Sequence, residues 1–93
     1  MSVKHVDGID GRKNVFLYAL STCPWCKKTK LLLTELKIQY DYLDVDLVTP
    51  EEQGKVLDDL MTYNENGGFP TLIINKEKII VGYQPEAIKA ALQ

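Results

Sequence analysis

Ser21-Thr22-Cys23-Pro24-Trp25-Cys26-Lys27-Lys28 follows directly on a nearly unbroken apolar run, Asn14-Val15-Phe16-Leu17-Tyr18-Ala19-Leu20, and the junction between the two governs how the whole chain reads. The run is rich in strand formers and hardly alternates, the pattern of a central strand covered on both faces. From Pro24 the period changes: Cys26, Thr29, Leu33 and Leu36 share one helical stripe with Leu32 beside it, while lysines and Glu35 fill the remainder. Proline suits a first helical position because the N–H it lacks has no intrahelical partner there. The two cysteines of the chain, Cys23 and Cys26, therefore stand at the exit of a strand and in the first turn of a helix.

Working outward, Ile38 to Val45 alternates at first and reads as a strand near a sheet edge. Thr49-Pro50-Glu51-Glu52 is a capping box with proline at its first helical position, followed by Gln53, Val56, Leu57, Leu60 and Met61 at helical spacing. Asparagine and glycine between Asn64 and Gly68 end that helix. Thr71-Leu72-Ile73-Ile74 and Lys78-Ile79-Ile80-Val81 flank Asn75-Lys76-Glu77 as a hairpin, and a last helix from Pro85 places Ile88, Ala91 and Leu92 on one side. Residues 1–12, broken by Gly8 and Gly11, read as a flexible lead-in or a short irregular strand, with one domain over 13–93. The expected architecture is α/β, in the order βαβαββα. The first two strands are parallel through a crossover and the last two antiparallel through a tight turn, with three helices on a four-stranded mixed sheet.

A chain of 93 residues has room for one small core. Its 45% hydrophobic and 26% charged composition is that of a soluble globular domain, and the run from Val15 to Leu20 is far too short to cross a bilayer. The start, Met1 to Asp7, has no apolar signal core, so a cytoplasmic location and no membrane partner are expected. A net charge of −2 argues against a general grip on nucleic acid. The lysines 27, 28, 30 and 37 read mainly as a solvated helix face.

Three uses of the cysteine pair can be weighed. A staple closing so short a loop would constrain the unfolded chain little, and a reducing compartment disfavours it. A closed zinc site needs four ligands, whereas the chain offers two cysteines and a remote His5, which is also poorly placed to act as a hydrolase base, so no metal is assigned. Electron transfer fits best. At a helix N-terminus, Cys23 meets unpaired N–H groups and the positive end of the dipole, which favour its thiolate, with Lys27 adding charge. Cys26, one turn on and on the apolar stripe, is the expected resolving thiol.

With this motif on this element order, Asn14 to Leu92 resembles the glutaredoxin family of the thioredoxin-like fold. Cys23-Pro24-Trp25-Cys26 is similar to the family's Cys-Pro-Tyr-Cys, and Phe69-Pro70-Thr71 looks like its cis-proline segment. The resemblance implies that Pro70 is cis, that the backbone of Phe69 is a docking edge, and that Thr22, Trp25, Phe69, Pro70, Gly82 and Tyr83 frame a substrate groove. Departures bear on the electron donor. Leu20 stands where the family usually has a lysine for a glutathione carboxylate, and Gly68 where threonine is usual. Val81-Gly82-Tyr83-Gln84-Pro85-Glu86 replaces the usual Gly-Gly turn and is more similar to redoxins that serve ribonucleotide reductase and are themselves reduced by thioredoxin reductase. The reading is thus a small, monomeric dithiol oxidoreductase without a bound cofactor. Its expected substrates are disulfide-containing proteins or small disulfides, and its donor is glutathione, another small thiol or a flavin-dependent reductase. A redox switch or adaptor using the same groove, or a cluster shared between two copies, are the alternatives.

Overall fold

The computed structural model describes residues 3–93. Five strands and three helices follow one another as β1 (Lys4–Val6), β2 (Val15–Ala19), α1 (Pro24–Glu35), β3 (Tyr40–Asp44), α2 (Pro50–Tyr63), β4 (Thr71–Ile74), β5 (Lys78–Val81) and α3 (Pro85–Leu92), with a single 3-10 turn, Val45–Leu47, after β3. The strands lie in the order β1-β3-β2-β4-β5. β2 and β3 are parallel, while β2 with β4 and β4 with β5 are antiparallel, as the crossover and hairpin require.

The sheet has five strands where four were expected. The fifth is β1, which pairs antiparallel with β3 through Lys4↔Tyr42, His5↔Asp41 and Val6↔Tyr40. It lies inside the segment read as a flexible lead-in or a short irregular strand, of which Met1 and Ser2 fall outside the described residues. Three residues at an edge, two of them exposed, carry no apolar alternation, so periodicity gave no signal there. Gly8 explains how the chain then follows the sheet: a Cβ on it would lie 2.5 Å from the backbone of Ile38 and Gln39, a distance only glycine permits.

The period of two in β2 divides the interior. Val15, Leu17 and Ala19 face one side, where Cys26, Leu32 and Leu33 of α1 and Ile88 and Leu92 of α3 close over them. Tyr18 faces the other, with Leu43, Val45, Val48 and Ile73 beneath Val56 and Leu60 of α2. Leu57 and Met61, which share the spacing of that stripe, are 36% and 49% exposed, because α2 covers its face through a narrower seam than its apolar residues span. The capping box is half formed: Thr49 Oγ1 accepts the N–H of Glu52 at 3.4 Å, while Glu52 Oε2 is buried with no hydrogen-bond partner among the described residues.

Candidate functional site

β2 ends at Ala19, and the chain turns through Leu20 to Thr22 before α1 begins. The turn is held at both ends. The N–H of Cys23 donates to the carbonyl of Leu20 at 3.2 Å. Ser21 donates its N–H to Asp46 Oδ1 at 2.8 Å and its hydroxyl to Asp46 Oδ2. Cys23 is consequently the N-cap of α1, with extended backbone angles, and its Sγ accepts the N–H of Cys26 at 3.3 Å, the place a capping oxygen would take.

The two sulfurs occupy different environments. Cys23 is half-buried, and Cys26 is fully buried in the α1/α3 core. Burial works against ionisation of Cys23. The thiol of Cys26, the N–H groups of Cys26 and Trp25 and the charge of Lys30 together outweigh it, holding the thiol below its ordinary value. Burial first, then the hydrogen bond with Cys23 and the repulsion of its charge, push Cys26 up to about 12, against the opposing N–H of Leu20 and the charge of Lys30. The first sulfur thus ionises the more readily of the two, and the second keeps its proton.

The lysine whose charge bears on the pair is Lys30. Lys27, expected in this role, is exposed and donates its backbone N–H to the carbonyl of Cys23 at 3.1 Å. Lys30 Nζ donates to Asp44 Oδ1 at 2.9 Å and lies 4.2 Å from the centroid of the Tyr42 ring. It stands four residues after Cys26, one turn along the same face, and that spacing could have singled it out from the solvated lysines.

Several of the residues expected around the cysteines do come together. The Phe69-Pro70 bond is cis. The N–H of Gly82, whose φ of 84° favours glycine, donates to the carbonyl of Pro70 at 2.8 Å. Cys23, Phe69 and Tyr83 all pack against the edge of the α1/α3 core. Trp25, 54% exposed, stacks on Tyr83 with ring centroids 5.9 Å apart, and Lys28 Nζ lies 4.6 Å from the Trp25 centroid. Thr22 is exposed in the turn before Cys23, and among the described residues its side chain makes no hydrogen bond. The backbone of Phe69 makes no hydrogen bond among the described residues. Leu20, in the position of the family's lysine, turns its side chain to the α2 core.

The support beneath the loop that leads to Pro70 went unread in the sequence. Asn64 donates from Nδ2 to Thr71 Oγ1 at 3.1 Å, and the Thr71 hydroxyl donates to the carbonyl of Gly68 at 2.6 Å. Asn64 Oδ1 in turn accepts the N–H of Asn66 at 3.2 Å. Asparagine at a helix end followed by glycines reads equally well as a simple exit, so only the fold reveals the pairing across the loop. Among the described residues, no three His, Cys, Asp or Glu side chains converge in a way that could hold a metal ion, and no helix is long and apolar enough to cross a membrane.

Three comparisons bear on this arrangement. The family model described as glutaredoxin matches residues 15–79. A glutaredoxin-like 8.6 kDa protein in the rubredoxin operon of Clostridium pasteurianum is 31% identical over 77 residues, 83% of this chain and 95% of that protein. Among solved structures, methanoredoxin of Methanosarcina acetivorans superposes with a TM-score of 0.86 at 46% identity, over 91% of this chain and 88% of that one. The glutaredoxin of Methanosarcina mazei Go1 gives 0.85 at 44% identity, over 97% and 86%.

Proposed function

The chain belongs to the glutaredoxin family, and from that premise we propose that it is a dithiol thiol-disulfide oxidoreductase working through Cys23 and Cys26. The observation that carries the reading is the asymmetry of the pair: a half-buried sulfur that caps the helix and accepts the Cys26 N–H at 3.3 Å, beside a fully buried one in the apolar core. The Cys23 thiolate attacks one sulfur of a substrate disulfide, and the other leaves as a thiolate and takes a proton. The mixed disulfide then has its protein-side sulfur, Cys23, next to Cys26. Cys26 gives up its proton as it attacks Cys23 Sγ, and the second substrate sulfur leaves as a thiolate and takes up a proton. The substrate gains two electrons, the protein retains a Cys23–Cys26 disulfide, and an external donor reduces it again.

Phe69 and the Trp25–Tyr83 stack frame the groove in this reading, with the backbone of Phe69 offering an edge to an extended substrate segment. Leu20 and the Val81 to Glu86 turn favour a flavin-dependent thioredoxin reductase over glutathione as donor. They also favour a protein disulfide such as that of ribonucleotide reductase as acceptor, with the cytoplasm as the compartment. The test is multiple-turnover reduction of a protein disulfide, driven in parallel by glutathione with its reductase and by thioredoxin reductase. Turnover with the second, abolished by Cys23→Ser, is the expected result. A reaction that stops after one equivalent with either donor overturns the assignment.

A further inference from the structure

Resolution demands something the attacking step does not: negative charge must appear on a sulfur with no exposed surface. The core around Cys26 is Leu17, Ala19, Leu33, Ile88 and Leu92, none of which can meet that charge. A cationic side chain with a largely buried seat stands one turn along α1. Lys30 occupies the turn of α1 that follows Cys26, its side chain only 22% exposed, between a 14% exposed Asp44 and the face of Tyr42. Such a location is costly for a lysine, and the Asp44 carboxylate fixes where its ammonium sits.

We propose that Lys30, held by Asp44 and Tyr42, is the positioning residue that supplies the positive charge against which Cys26 ionises during the resolving attack. This rests on the oxidoreductase reading above and adds a residue to it. When Cys23 is tied up in a mixed disulfide, its own charge and its hydrogen bond with Cys26 are gone. Burial, the N–H of Leu20 and Lys30 then remain to set the ionisation of Cys26. The groups facing this region are Cys23 and Lys30 from α1, Tyr40, Tyr42 and Asp44 from β3 and Asp46 from the turn after it. Tyr83 lies ahead of α3, and α3 itself contributes Ile88 and Leu92 to the core. Lys30 is the cation in that set; its charge is the smallest of the influences named on either sulfur, and Asp44, 2.9 Å from the ammonium, offsets part of it.

Stopped-flow reaction with an excess of a small aromatic disulfide separates the two steps, because each releases one coloured thiolate: the first when Cys23 attacks, the second when Cys26 closes the ring. Lys30→Met is expected to move the pH–rate profile of the second release upward by about one unit and, after the gain in nucleophilicity of a more basic thiolate, to slow it about three- to fourfold near neutral pH. Lys30→Arg, which keeps the charge, is expected to stay within about 1.5-fold of the parent. Lys30→Met combined with Asp44→Asn leaves no stranded carboxylate and should still show the slow second release. A second release indifferent to Lys30→Met, restored in the double variant, or slowed equally by Lys30→Arg overturns the role of Lys30 while leaving the dithiol mechanism intact. A parent protein with no second release overturns both, since no resolving step then exists.

Discussion

Replacing Cys26 by alanine raises the pH at which Cys23 becomes a nucleophile. Cys23 Sγ draws on four stabilising groups: the Cys26 thiol, the N–H of Cys26 at 3.3 Å, the N–H of Trp25 and the charge of Lys30. Alanine deletes the first and leaves the rest. A hydrogen bond to a charged group contributes about 1.5–3 kcal/mol in a dry site. Cys23 is partly open to water, which reduces this to about 1 kcal/mol, or about 0.7 of a pKa unit. Thiolate fraction well below the midpoint then falls about fivefold. The more basic thiolate recovers about twofold of that through its greater intrinsic nucleophilicity, so the rate at fixed pH drops about two- to threefold. The assay is the pH dependence of alkylation by a small haloacetamide, followed by mass spectrometry at Cys23. Cys26→Ser restores an O–H donor and keeps the midpoint within about 0.3 unit of the parent. Superimposable profiles for the alanine variant and the parent refute the reasoning, for they would leave the backbone N–H groups and Lys30 as the whole source of activation.

Thr71→Val strands the amide of Asn64 and the carbonyl of Gly68 at a fully buried position, at a cost of about 1–3 kcal/mol. In a chain of this size that lowers Tm by about 5–15 °C in a thermal melt. His5 donates toward Asp41 at 2.6 Å and Asp7 at 2.9 Å, and these contacts, Asp41 foremost, hold its pKa above the ordinary histidine value. Its support of β1 is therefore complete below about pH 6.5 and is lost as pH rises through the raised folded value. Amide exchange at Lys4 to Val6 accelerates over that interval, and His5→Gln flattens the response. Trp25→Ala lowers kcat/KM for a protein disulfide about tenfold, through lost apolar contact, while the alkylation midpoint of Cys23 stays in place.

The central part of the fold was legible because its signals are local and strong. Asn14 to Leu20 could hardly be anything but an interior strand, and Pro24, Pro50 and Pro85 mark the three helix starts where they occur. The cysteine asymmetry followed from the same junction, since an N-cap and a residue three positions later on the apolar stripe cannot share one environment. The short strand that is one reading of residues 1–12 could not be assigned to the sheet, because an edge strand of three residues is stabilised by partner backbone, and nothing in Lys4-His5-Val6 announces that partner. Lys30 and Lys27 look alike in a charge pattern, and only the 100° step of the helix puts Lys30 against Asp44 and leaves Lys27 in water. Pro70 is cis as the resemblance implied, whereas the Asn64–Thr71 bond beneath it joins residues whose pairing depends on where the glycine loop folds back.

Sealing one thiol beneath the helix also determines what an oxidant can do. Hydrogen peroxide arriving from solvent finds Cys23 at the rim and is shut out from its neighbour, so the first lesion is a sulfenic acid on Cys23. The protected Cys26 then condenses with it, expelling water and closing a ring that any disulfide reductant can reopen. The pocket that hides the second sulfur thus diverts oxidative injury into a reversible product before the irreversible acids are reached.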